Sequence, residues 1–157
     1  MRKKVFLITG GSGGHIFPAI SLTEIDKKFD YYFLLDYRTE KIVKKRGLKY
    51  FKIFSSNIHL NFSLPLSVVK VILGFLQSIF IFIKYKPNLA IGFGGYTSIP
   101  SILAAKLLKV KIIIHEQNAV MGKTNRLLSY LSKNIALTFT NTKHARDYSV
   151  HTGIPVR

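Results

Sequence analysis

A chain of 157 residues with 48% apolar content is long enough for one domain with a packed core, and too short for two substantial ones. It has no cysteine, which excludes a disulfide scaffold, a thiolate metal site and a cysteine nucleophile. Lys and Arg number 24 against 7 acidic residues, a net charge of +17; 18 of them are Lys in an Ile-, Phe-, Tyr- and Asn-rich chain, a profile an AT-biased genome also produces, so charge alone selects no partner.

The chain opens on the basic stretch Met1-Arg2-Lys3-Lys4. The apolar run that follows, 5–8, is far shorter than the ~7–15 residues of a secretory h-region, so it reads as a buried first strand over 5–9. Gly10-Gly11-Ser12-Gly13-Gly14-His15 leaves that strand for a helix over 18–28 with Pro18 in its first turn, where a missing N–H costs little. Four glycines let backbone N–H groups approach an anion, and a helix N-terminus adds its dipole. The dinucleotide fingerprint started at Gly11 requires glycine at position 16, where Ile16 stands. Asp36, at the end of a second strand over 31–35, therefore has no nicotinamide nucleotide to serve. His15 follows the glycines at the mouth of the edge and has an imidazole suited to proton transfer near neutrality, which makes it the candidate general base.

A helix over 39–46 and a third strand over 50–54 lead to the most apolar stretch, 64–83, whose single charge is Lys70. A bilayer span wants ~20 apolar residues, and a lysine at mid-helix costs ~2.5–3.5 kcal/mol. Pro65, Ser67, Gln77 and Ser78 weaken a span further. The uncharged run 71–83 followed by Lys84 and Lys86 suits a helix lying in a headgroup layer. The helix predicted over 66–83 is thus open to three placements: on a membrane, in a core, or across a bilayer.

A fourth strand over 89–92 is followed by Gly92-Phe93-Gly94-Gly95-Tyr96-Thr97-Ser98, with Pro100 opening a helix over 99–108. Two glycine-rich loops on one edge suit a ligand with more than one phosphate, or a sugar held between them. A fifth strand over 111–115 ends in His115-Glu116-Gln117-Asn118. Adjacent strand residues face opposite sides, so His115 and Glu116 serve either chemistry or the tying of loops. Gly122-Lys123-Thr124 resembles the end of a P-loop, but that motif needs glycine at 117, where Gln117 stands. A helix over 123–132 and a strand over 134–138 complete the alternation. The expected fold is α/β: one doubly wound, mostly parallel Rossmann-like sheet, a single domain over 1–157, with ligands at the carboxyl ends of its strands.

The ordered motifs GGSGGH, GFGGYTS followed by proline, HEQNAVMGKTNRLL and GIPVR are similar to the N-terminal half of the MurG family, the peptidoglycan N-acetylglucosaminyltransferases of the glycosyltransferase-B fold. The resemblance implies transfer of N-acetylglucosamine from UDP-GlcNAc to the 4-hydroxyl of lipid I, undecaprenyl-pyrophosphoryl-MurNAc-pentapeptide, with inversion, giving lipid II. It implies an acceptor-binding domain sitting peripherally on the cytoplasmic face of the plasma membrane, against an anionic surface. It places Ser12, Gly13, Gly14, Asn118 and Arg157 toward the sugar nucleotide, and adds Gly94, Gly95, Tyr96, Gln117 and Asn125 as substrate-binding candidates. His15 matches the family histidine near the acceptor hydroxyl, and Glu116 is the second catalytic candidate. No metal and no cofactor are expected. Nucleic acid is not expected either, since charge suggests it without a stacking motif or recognition helix. Ser12 stands where the family commonly has Thr, and Ile154 where it usually has Asn. A full family member carries a second domain that grips UDP. The expectation for 1–157 is that this donor domain lies outside it, through truncation or on a separate chain, and that half a cleft transfers little alone. The alternative is a non-catalytic membrane-docking subunit that recruits a donor-domain partner.

Overall fold

In the computed structural model, which describes residues 2–56 and 64–155, the run at 5–8 is fully buried and forms β1 (Lys4–Ile8), an inner strand of a seven-stranded sheet. The other strands are β2 (Asp30–Leu35), β3 (Tyr50–Lys52), β4 (Leu89–Gly92), β5 (Lys111–Glu116), β6 (Ile135–Leu137) and β7 (Val150–His151). All pair in parallel in the order β3-β2-β1-β4-β5-β6-β7. The crossovers contain α1 (Gly13–Ile25), α2 (Tyr37–Lys45), α3 (Leu64–Tyr85), α4 (Ser98–Leu107) and α5 (Lys123–Leu128).

Strand alternation sorts the core into two layers. Val5, Leu7, Phe33 and Leu35 pack with Ile16 and Ile20 of α1 and Val43 of α2. Phe6, Ile8 and Leu34 face the other way, onto Phe82 of α3, Ile102 of α4 and Leu128 of α5. The chain winds from β1 outward to β3, then returns to the other side of β1 with β4. The sheet therefore reverses direction between β1 and β4, and a crevice opens beyond the carboxyl ends of strands at such a reversal. Both glycine-rich loops leave the sheet there.

The doubly wound α/β sheet is as expected, with differences at element ends. α1 begins at Gly13 rather than at 18, so Pro18 lies inside the helix, where it has no N–H to give the Gly14 carbonyl. α5 stops at Leu128, short of 132. β7 has no apolar run to announce it, and both its residues are exposed. It exists because β6 offers an edge, to which the chain continues bonding through Thr152 N–H and the Leu137 carbonyl at 2.9 Å.

α3 inverts the usual amphipathic arrangement. Its buried residues include Ser67, Gly74, Ser78 and Phe82, while Leu66, Val69, Ile72, Leu76, Phe80 and Ile83 are each at least half exposed. The buried seam is small or polar because it lies against protein at close range. Ser78 hydroxyl donates to the Gly74 carbonyl at 2.8 Å and meets Ser101 of α4 at 2.9 Å. A Cβ at Gly74 would lie 1.9 Å from the Phe54 carbonyl oxygen, so only glycine admits that approach. At the far end Lys4 Nζ donates to the Tyr85 carbonyl at 3.0 Å, and Tyr85 packs on Phe51. α3 is thus fastened to the domain along its length, with an apolar face turned outward.

Candidate functional site

The first glycine loop turns at Gly11, at φ +87°, and delivers the chain into α1. Ser12 is the N-cap, yet its hydroxyl makes no capping bond and the first turn holds no acidic residue. The N–H groups of Gly13 and Gly14 are among those a helix start leaves without intrahelical acceptors, and they remain available to an external anion. Gly13 and Gly14 are exposed, and a Cβ at Gly14 would have its nearest neighbour, Ser12 Oγ, at 3.8 Å.

The second loop holds Gly94 at φ +92° and Gly95 at φ +76°. The His15 ring lies against it: a Cβ at Gly94 would stand 3.2 Å from His15 Cε1, and one at Gly95 3.6 Å from Cδ2. Those two carbons flank Nε2, so the glycines keep this nitrogen uncrowded. No hydrogen bond occupies Nε2 among the described residues, whereas Nδ1 is 3.0 Å from Gln117 Oε1. A cavity of about 340 Å³ opens here, lined by His15, Gly94, Tyr96, Asn118, Lys123 and Asn125 among others.

The carboxyl end of β5 braces this pocket. Glu116 is 1% exposed and accepts four hydrogen bonds, from the Asn118 N–H and side-chain amide on Oε1 and from the Gly122 N–H and Asn125 amide on Oε2, each at 2.9 Å. These four bonds fit the reading in which Glu116 ties the 116–125 loop together. Asn118 and Asn125 are placed by it. Gln117 is buried behind His15 and reaches the pocket only through that ring. His115 is buried beside Phe93, and burial pushes its imidazole below the ordinary range, with the Gly153 carbonyl and the Glu116 charge opposing. Its Nε2 is 3.3 Å from the Gly153 oxygen.

Tyr96 sits under the Arg38 guanidinium, whose carbon is 4.5 Å from the ring centre. Arg38 is fixed by the buried Asp36 carboxylate, which bonds its Nε at 2.9 Å, caps α2 through the Arg38 N–H at 3.1 Å, and accepts from the Thr97 hydroxyl at 3.1 Å. Sequence reasoning did not single out Arg38. It follows the carboxyl end of β2, the same positional signal that drew attention to the glycine loops. His15, Gly94, Gly95, Tyr96, Asn118 and Asn125 meet at one cavity. Ser12 and Gly13 lie on the preceding turn, Gln117 behind, and Arg157 outside the described residues.

The profile of the glycosyltransferase family 28 N-terminal domain matches residues 5–137. The chain is 37% identical over 144 residues to the UDP-N-acetylglucosamine--N-acetylmuramyl-(pentapeptide) pyrophosphoryl-undecaprenol N-acetylglucosamine transferase of Rickettsia bellii, covering 90% of this chain and 40% of that protein. It is 36% identical over 167 residues to the protein of the same name from Borrelia turicatae, covering 99% and 46%. The crystal structure of Acinetobacter baumannii MurG superposes with a TM-score of 0.82 at 28% identity, over 96% of this chain and 45% of that one. At 17% identity, a Staphylococcus aureus MnaA–UDP co-structure shares the fold, with a TM-score of 0.71. The chain spans less than half the length of these relatives.

Proposed function

The chain belongs to glycosyltransferase family 28, whose N-terminal domain it carries, and on that basis we propose that it is the acceptor-binding part of an inverting N-acetylglucosaminyltransferase. The transfer it serves moves N-acetylglucosamine from UDP-GlcNAc to the 4-hydroxyl of lipid I, giving lipid II. One observation carries the reading: His15 stands between two glycine loops with no hydrogen bond on Nε2 among the described residues, beside a helix start that the Ser12 hydroxyl does not cap. The helix start suits the acceptor diphosphate, and the cavity beside it suits a sugar. The 4-hydroxyl then gives its proton to His15 Nε2 while its oxygen bonds to the anomeric carbon. The bond from that carbon to the diphosphate breaks on the opposite face, UDP leaves with the electron pair, and the anomeric centre inverts. Glu116, through Asn118 and Asn125, keeps the cavity wall in place.

The domain works at the cytoplasmic membrane surface. The outward apolar face of α3, flanked by Lys70 and Lys84, supports a peripheral position in an anionic headgroup layer. Donor binding falls to a second domain, supplied in the same protein or by a partner chain. The test joins residues 1–157 to the donor half of a family 28 enzyme and supplies UDP-GlcNAc with a lipid I analogue. Lipid II formation that depends on His15 supports the reading. If the joined protein folds and binds membranes but never transfers sugar, the chain is instead a docking subunit, the role its outward apolar face alone would support.

A further inference from the structure

Behind His15 runs a chain of hydrogen bonds whose direction is settled by one carbonyl. Gln117 Nε2 lies 2.9 Å from the His115 carbonyl oxygen, which only accepts, so the amide nitrogen must be the atom facing it. Turning the amide over would set two oxygens against each other at that distance. The other amide atom, Oε1, also only accepts, and it stands 3.0 Å from His15 Nδ1. His15 must therefore carry its proton on Nδ1. Gln117 Nε2 also lies 2.9 Å from His115 Nδ1, which must offer a lone pair to receive its second proton. His115 then bears its own proton on Nε2, toward the Gly153 carbonyl at 3.3 Å. The burial that keeps His115 neutral preserves that lone pair.

We propose that Gln117, itself oriented by His115, is a positioning residue that locks His15 in the Nδ1–H tautomer, so that the basic Nε2 lone pair always faces the acceptor pocket. This rests on the reading of His15 as the base. Imidazole in water leans to the opposite tautomer, with hydrogen on Nε2, and in that form His15 would donate to the acceptor hydroxyl instead of taking its proton. The hydrogen bond made by one ring nitrogen decides which state the other presents. Gln117 does not touch substrate; it acts through His15.

The test reads the tautomers directly. Long-range proton–nitrogen NMR of the 157-residue chain labelled at histidine nitrogens should show His15 protonated at Nδ1 and bare at Nε2, with His115 the reverse. A His15 ring protonated at Nε2 in the wild-type chain overturns the proposal, with no variant needed. Gln117→Leu should move His15 toward the Nε2–H form while the rest of the spectrum stays folded. If Gln117→Leu leaves the His15 nitrogen signals unchanged, the lock is not Gln117. In the enzyme completed with a donor half, Gln117→Leu should lower kcat by about tenfold or more, as loss of an orienting partner does, with the KM for UDP-GlcNAc unchanged. Retention of the wild-type tautomers together with a near-wild-type kcat for His15→Ala would leave the hydrogen-bond chain standing and remove the base from His15 instead.

Discussion

His15 carries the chemistry proposed, and its removal is the sharpest residue-level test. A positioned base contributes about 10²–10⁴-fold, or ~3–5 kcal/mol of barrier. His15→Ala in the completed enzyme should cut kcat by that order with little change in the KM for UDP-GlcNAc; steady-state kinetics with a kcat within about threefold of wild type would remove the base from His15. The glycines around it divide by cause. Gly94 is at φ +92° with Asn125 and the His15 ring 3.2 Å from its missing Cβ, so Gly94→Ala should cost at least ~1 kcal/mol in urea unfolding. Gly14 has open space and a helical position, so Gly14→Ala should be neutral or stabilising by up to about 1 kcal/mol, yet weaken binding of a lipid I analogue. Equal effects of the two on stability would contradict this division. His115 sets a pH dependence. Burial holds it below its ordinary value of 6.5, so as pH falls the unfolded chain takes up the proton first. Stability that is complete above 6.5 should decline below it, until the folded histidine also protonates. Urea midpoints across that range should show the slope, and His115→Gln should flatten it.

At the scale of elements, α3 departs furthest from a soluble helix. Its seam of Ser67, Gly74 and Ser78 is pressed to protein, and Gln77 accepts the Phe54 N–H at 2.9 Å, so the helix cannot leave the sheet to stand across a bilayer without breaking those contacts. Its outward side shows more large apolar residues than scattered exposure accounts for. Vesicle flotation on anionic lipid should therefore depend on this face and fall as salt rises, since each flanking lysine near the surface is worth ~1 kcal/mol and is screened. Leu76→Glu with Phe80→Glu should abolish flotation while changing stability by no more than about 0.5 kcal/mol per site, because both residues are exposed. Resistance of the wild-type chain to carbonate extraction would mean that it spans the bilayer.

At the scale of the whole molecule, the function proposed makes the crevice between β1 and β4 one wall of a cleft. The isolated chain should bind a lipid I analogue, measurable by calorimetry or fluorescence, yet release no UDP from UDP-GlcNAc, since donor and acceptor must be held together for transfer. Robust lipid II synthesis by the purified 157-residue chain would contradict that division of labour. The winding that builds this wall was legible because each strand is a short apolar run followed by a turn. β7 was not, because two exposed residues carry no pattern and are recruited only by the open edge of β6.

The sequence by itself determined the alternation of strand and helix, the two glycine loops and the place of His15 after the first of them, since these depend on local pattern and on residue chemistry. Only the tertiary structure decided the remaining roles, because each depends on what lies across the sheet. Glu116 reads either as a catalytic candidate or as a tie between loops until four donors are seen closing on it. Asp36, left without a nucleotide by the failed glycine spacing, has no role in the sequence until it is seen holding Arg38 and Thr97. α3 reads first as a helix in a headgroup layer, with core and span still open, until its seam is found against Phe54 and Ser101 with its apolar side free. Which nitrogen of His15 is basic depends on a glutamine 102 positions away in the chain, turned by the His115 carbonyl, and no local pattern encodes the orientation of an amide.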